Sequence, residues 1–205
     1  CPGCGTEVRG NGDHRAANGE HGIYVDQQDN VWLTGNGGRD GQILKFSKNG
    51  TFLKQIGKAI PADHVDSADT AHLARPAGVV VNARTNELYV ADGYGNRRVI
   101  VFDATTGAYK RHWGAYGNVP DDKPKPTRIL TGPGNPQFNT VHGVALSSDG
   151  TVYVADRANN RIQVFTPEGK FLKEGYNQRD AKGTGSAFGV VVSPDDKWLY
   201  IADAA

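Results

Sequence analysis

The sequence contains no methionine and only two cysteines, both in the opening Cys1-Pro-Gly-Cys4-Gly5. That spacing is half of a zinc ribbon whose second half is missing, so it is read as a loop remnant or as one end of a disulfide to residues outside this chain. Long apolar runs are also missing. Val99-Ile-Val-Phe102 is typical of the longest, far short of the ~20 residues that a membrane helix needs, so no transmembrane segment is expected. Charge of one sign is not in excess: 23 Lys+Arg stand against 22 Asp+Glu, for a net +1. Nucleic acid is therefore not an expected partner. What is abundant is 27 glycines and 10 prolines in 205 residues, which excludes a bundle of long helices. With 38% apolar residues there is enough to build a core, and an all-β protein is expected.

Self-similarity organises the rest. His21-Gly-Ile-Tyr-Val-Asp26 leads to Asn30-Val-Trp-Leu-Thr34, and Ala77-Gly-Val-Val-Val81 leads to Glu87-Leu-Tyr-Val-Ala-Asp92. His142-Gly-Val-Ala-Leu146 leads to Thr151-Val-Tyr-Val-Ala-Asp156, and Phe188-Gly-Val-Val-Val192 leads to Trp198-Leu-Tyr-Ile-Ala-Asp203. Three of these units continue through Gln42–Phe46, Arg98–Phe102 and Arg161–Phe165 into a glycine turn. A last strand follows at Thr51–Gln55, Ala108–His112 and Lys170–Glu174. Each unit reads as four short antiparallel strands, and a sheet of that size hides its two faces only by stacking radially on its neighbours. The fold expected is a β-propeller with blades at 21–57, 76–114 and 141–176, a partial blade at 187–205, and an N-terminal segment 1–20 left from a preceding blade. The extra length between blades falls at 58–74 and 115–140. A propeller closes with roughly four to eight blades, so further blades, six in all, are expected outside this chain, which reads as a fragment or a processed product.

The motifs Val154–Phe165 and Val90–Phe102 resemble the NHL-repeat family. Asp92, Asp156 and Asp203 share one slot of the repeat, as do Arg98 and Arg161, and a shared slot is read as structural. The first residue of the innermost strand is different: it is His21, Ala77, His142 and Phe188 in successive blades. In a six-bladed ring, alternate blades lie 120° apart. A third imidazole from the fifth blade would then complete a three-histidine zinc site with an open fourth position. Tyr94 and Arg157 follow the second strand on the same rim. Next to a dication a phenol is suited to act as a base, and an arginine holds a carboxylate through two parallel bonds.

The stretch 21–165 resembles the peptidyl-α-hydroxyglycine α-amidating lyase branch of NHL propellers. It carries His21-Gly, Asp92-Gly-Tyr94-Gly-Asn-Arg, His142-Gly and Ala155-Asp-Arg157-Ala-Asn-Asn-Arg161-Ile. The resemblance implies His21 and His142 as zinc ligands, Tyr94 as the base and Arg157 as a substrate contact, with a structural calcium that takes the carbonyl of Ile23. It also implies cleavage of a carbinolamide, from a small-molecule or peptide substrate with a carboxylate, to an amide and glyoxylate. The third zinc histidine and the calcium aspartate of the family lie in a later blade. A second arginine of the family falls near Arg9 or Arg15, and Gly95 stands where animal members have a cysteine. A secreted or periplasmic location is expected. Two rival readings remain at this stage, a non-catalytic NHL scaffold for protein or glycan binding and a lactonase-type propeller. The basic strips at Lys54, Lys110-Arg111 and Lys170–Lys173 are read as solvated outer edges.

Overall fold

The structure, a computed structural model, describes residues 19–61, 64–124 and 127–203. Among these, β1 (Glu20–Val25), β2 (Val31–Gly35), β3 (Gln42–Phe46) and β4 (Phe52–Gly57) form one antiparallel sheet. A second holds β5 (Gly78–Asn82), β6 (Glu87–Asp92), β7 (Arg98–Asp103) and β8 (Tyr109–Trp113). A third holds β9 (Val141–Leu146), β10 (Val152–Asp156), β11 (Arg161–Phe165) and β12 (Phe171–Tyr176), and β13 (Gly189–Val192) pairs with β14 (Leu199–Ala202). The innermost strands follow one another in space, β1 beside β5, β5 beside β9 and β9 beside β13. This is an arc of three and a half propeller blades.

Strand alternation explains why the blades stack. In β6 every residue is buried, with Leu88 and Val90 packed toward the first blade and Tyr89 and Ala91 toward the third. Period-two alternation thus feeds two cores at once, one around Trp32, Ile43 and Ile100, the other around Trp113, Phe138 and Phe165. At the flanks of the arc the pattern has nothing to pack on. Ile23 is 72% exposed on the first blade, and Val191, Trp198 and Tyr200 are 61–66% exposed on the fourth. The outermost strands begin and end one or two residues later than the sequence suggested, because a bulge opposite Phe46, Phe102 and Phe165 shifts each pairing.

The shared Asp and Arg of the repeat are structural, as expected. The guanidinium of Arg98 donates from Nε to Asp92 at 2.9 Å and from its other nitrogens to the carbonyls of Ser67, Asp69 and His72. Arg161 does the same with Asp156 at 2.7 Å and with the carbonyls of Asn135 and Gln137. Each pair therefore ties down the insertion that precedes its blade.

One expectation is corrected. Arg111 is not a solvated edge, because it reaches Glu87 at 2.8 Å and also donates to the carbonyl of Pro167 in the next blade, whereas Lys110 stays exposed while its ammonium reaches Glu87 at 3.1 Å. The hydrogen bonds from Arg111, with those from Tyr89 and Lys110, hold the Glu87 carboxyl down at about 2, against 4.5 for a free one, although burial opposes them. A carboxyl depressed in the folded state contributes stability that is complete above about pH 4.5 and disappears as the pH falls through about 2. Urea unfolding followed over that window should show a steep acid limb in the wild type and a shallower one in Glu87→Gln.

Candidate functional site

Two bulges aim the site. In β1, His21 and Gly22 stand opposite the single residue Thr34, since Glu20 pairs with Gly35 and Ile23 with Leu33. In β9, His142 is the extra residue between Val141, which pairs with Asp156, and Gly143, which pairs with Ala155. A bulge turns a side chain out of the strand's alternation, and both imidazoles turn to the axis side, their ring centroids 4.8 Å apart. Tyr94 comes from the loop after β6, flanked by two glycines that allow this loop between blades. A Cβ on Gly93 would lie 2.2 Å from the backbone of Val141, and one on Gly95 would lie 2.6 Å from Ala74. Arg157 opens a 3-10 turn, Arg157–Asn159, directly after β10.

The four residues singled out on the sequence meet. The Tyr94 hydroxyl is 3.0 Å from His21 Nε2 and 3.0 Å from His142 Nε2, and Arg157 Nη1 donates to it at 3.1 Å. The guanidinium of Arg157 also lies over the rings of Tyr94 and Phe188, at 5.2 and 4.9 Å, with its Nε on the carbonyl of Thr184. Ile23 lies two residues beyond His21 in β1, paired with Leu33. Cys1, Cys4, Arg9 and Arg15 lie outside the described residues.

Proton bookkeeping shows what this arrangement can hold. His21 Nδ1 is 2.8 Å from the carbonyl of Ala77, and His142 Nδ1 is 2.5 Å from that of Phe188. A carbonyl only accepts, so each neutral ring carries its proton on Nδ1 and leaves Nε2 bare. Burial, together with the charge of Arg157 and the neighbouring His21, pushes the His142 pKa down to about 4, so that ring is neutral at physiological pH. Two bare nitrogens thus face one phenol that has one proton to give, and Arg157 already fills an acceptor position of the phenol oxygen. A cation at this point satisfies both nitrogens, and imidazoles locked by second partners on Nδ1 are the arrangement that transition metals take. Both imidazoles are thus of the ligand type that zinc takes, two of the three that a catalytic zinc site uses. Among the described residues no third His, Cys, Asp or Glu joins the pair.

Sequence reading missed the carbonyls that orient the rings. They belong to Ala77 and Phe188, the apolar residues that alternate with His21 and His142 in the same slot. The alternation itself was the signal: each histidine is held by the next blade, at the position equivalent to its own. His72 plays a different part, its Nδ1 lying 2.7 Å from Asp69 within the first insertion.

The NHL repeat model matches residues 73–102 and 138–165. Peptidyl-glycine α-amidating monooxygenase A of Xenopus laevis is 33% identical over 75% of this chain and 15% of its own length. The "Probable peptidyl-alpha-hydroxyglycine alpha-amidating lyase pgal-1" of Caenorhabditis elegans is 31% identical over 71% of this chain and 36% of its own. NHL repeat-containing protein 3 of Homo sapiens is 32% identical over 89% of this chain and 48% of its own. The chain thus spans half or less of each of these relatives. A gluconolactonase from Xanthomonas campestris shares the fold, with a TM-score of 0.60 at 14% identity over 96% of this chain and 57% of that one. With its repeat motifs, its blades and its relatives in agreement, the chain carries NHL repeats on β-propeller blades and is similar to the peptidyl-α-hydroxyglycine α-amidating lyases.

Proposed function

We propose that this chain carries the central part of a lyase site that splits the C–N bond of an N-acyl-α-hydroxyglycine. The observation that supports it is the meeting of two bare imidazole nitrogens, a phenol and a guanidinium at one point on the axis. His21 and His142 would hold zinc, with a third ligand from outside the described residues and a structural calcium at the Ile23 carbonyl. Zinc, when bound, supplies a Lewis acid for the substrate hydroxyl oxygen.

Tyr94 is the base of this reading. Its oxygen, which takes an N–H of Arg157, accepts the hydroxyl proton of the carbinolamide when it reacts as the phenolate. As that O–H bond breaks, the carbon–oxygen double bond of glyoxylate forms and the C–N pair leaves with nitrogen. The same proton, returned by Tyr94, completes the amide, so none is consumed. Two donors of Arg157 are committed to Thr184 and Tyr94, and the remaining N–H groups are the ones to hold the substrate carboxylate.

A second reading, a non-catalytic NHL propeller, draws on the similarity to NHL repeat-containing protein 3, which extends over 89% of this chain. Metal analysis of the purified protein separates the two. Zinc near one per chain, lost in His21→Ala and in His142→Ala, with glyoxylate released from a simple N-acyl-α-hydroxyglycine, is expected from the lyase. A metal-free protein that releases no glyoxylate with zinc added would leave the scaffold.

A further inference from the structure

We propose that Thr34 is a positioning residue for His21, acting through the bulge from which that imidazole projects. The repeat makes Thr34 stand out: the same slot is Ala91, Ala155 and Ala202 in the other three blades. It is also 2% exposed, so its hydroxyl has no water to satisfy it. Its three partners all lie next to His21, the most distant being the carbonyl of Gly22 at 3.5 Å. The amide of Gly22 donates to Thr34 Oγ1 at 3.0 Å, and the hydroxyl donates to the carbonyl of Ala77 at 3.1 Å. That carbonyl also takes the Nδ1 proton of His21, at 2.8 Å.

The two histidine strands differ in a way that explains this. In β9 the bulge is one residue long and the ladder resumes at once with Gly143 opposite Ala155, so a methyl group suffices there. In β1 two residues, His21 and Gly22, stand opposite Thr34 before the ladder resumes at Ile23. The amide of Gly22 then lacks a ladder acceptor, and the threonine hydroxyl supplies one. The space between Gly22 and the second blade is closed, since a Cβ on Gly22 would lie 2.4 Å from the Ala77 carbonyl oxygen and 2.5 Å from Thr34 Oγ1. By bridging the bulge to the carbonyl of the second blade, Thr34 holds strand and acceptor in one register and so fixes which nitrogen of His21 is bare. Orienting partners of this kind change metal affinity by about 10- to 100-fold.

The test is histidine nitrogen NMR on the full chain, in wild type, Thr34→Val, Thr34→Ala and Thr34→Ser. Alanine occupies the same slot in three blades, so Thr34→Ala is compatible with the fold even where valine is not. Recorded at a pH where the ring is neutral, His21 should carry its proton on Nδ1 in the wild type and in Thr34→Ser. In Thr34→Ala and Thr34→Val it should become a mixture of the two neutral tautomers while His142 keeps its signals. Zinc affinity, measured by chelator competition, should fall about tenfold in these two variants and recover with serine. An unchanged His21 tautomer in a folded Thr34→Ala overturns the proposal. The zinc readout rests on the reading above and the tautomer does not. A wild type that takes up no zinc would therefore remove that reading, and the spectrum would still decide for or against Thr34.

Discussion

Tyr94→Phe should lower glyoxylate release about 100-fold or more, the usual scale for the loss of a general base, while zinc content and melting temperature stay near those of the wild type. The size of the effect follows from the position of the hydroxyl. Among the described residues it is the one group within hydrogen-bond distance of both imidazoles and the guanidinium, so none of these neighbours replaces it in proton transfer. The ring itself is kept by phenylalanine, along with its edge contacts to His21 and His142 at 5.1 and 5.5 Å. Fold and ligands are thus left in place and only the acid–base function is removed. A rate within a few-fold of wild type, with substrate turned over at the same site, would take Tyr94 out of the reaction.

Arg161→Ala should destabilise the protein by about 3–5 kcal/mol, the cost of leaving one partner of a buried ion pair without its counter-charge. The side chain of Arg161 is fully buried, with its donors shared among Asp156, the Tyr116 hydroxyl, Glu174 and two backbone carbonyls. Alanine would strand the equally buried Asp156 carboxylate and free the 115–140 insertion at the same time. Lysine is no substitute, since a single ammonium cannot reach a carboxylate on one side and two carbonyls on another. The loss is a large share of the 5–15 kcal/mol that holds a typical domain together, and denaturant unfolding reads it directly. Lys197→Ala is the matched control, because its pair with Asp195 is exposed on both sides and such pairs contribute little.

The blades were legible because strand pattern and turn chemistry recur in each unit, and a repeated signal corrects its own local errors. His21, Tyr94, His142 and Arg157 were legible because they depart from the repeat at positions that topology places on one rim. Arg111 was misread: a basic residue on an outer strand looks solvated until Glu87 of its own sheet and the carbonyl of Pro167 from the next blade are both in place. The carbonyls of Ala77 and Phe188 were not legible at all, since backbone acceptors are present at every residue and only the fold selects two of them. The bulges were hidden for the same reason. They depend on pairing register, not on residue type.

The hand-off of each imidazole to the following blade has a consequence for how the arc holds together. Radial repeats contact only their neighbours, so a breach between two blades remains local. Here His21 of the first blade meets His142 of the third across Tyr94 of the second, while the acceptor for His142 comes from the fourth. An occupant held by both imidazoles would therefore bind only when all four are docked. By mass action, an occupant at a hundred times its dissociation constant would then add about 2.7 kcal/mol against any opening among them. The centre would act as a clasp, extending cooperativity to blades that share no sheet.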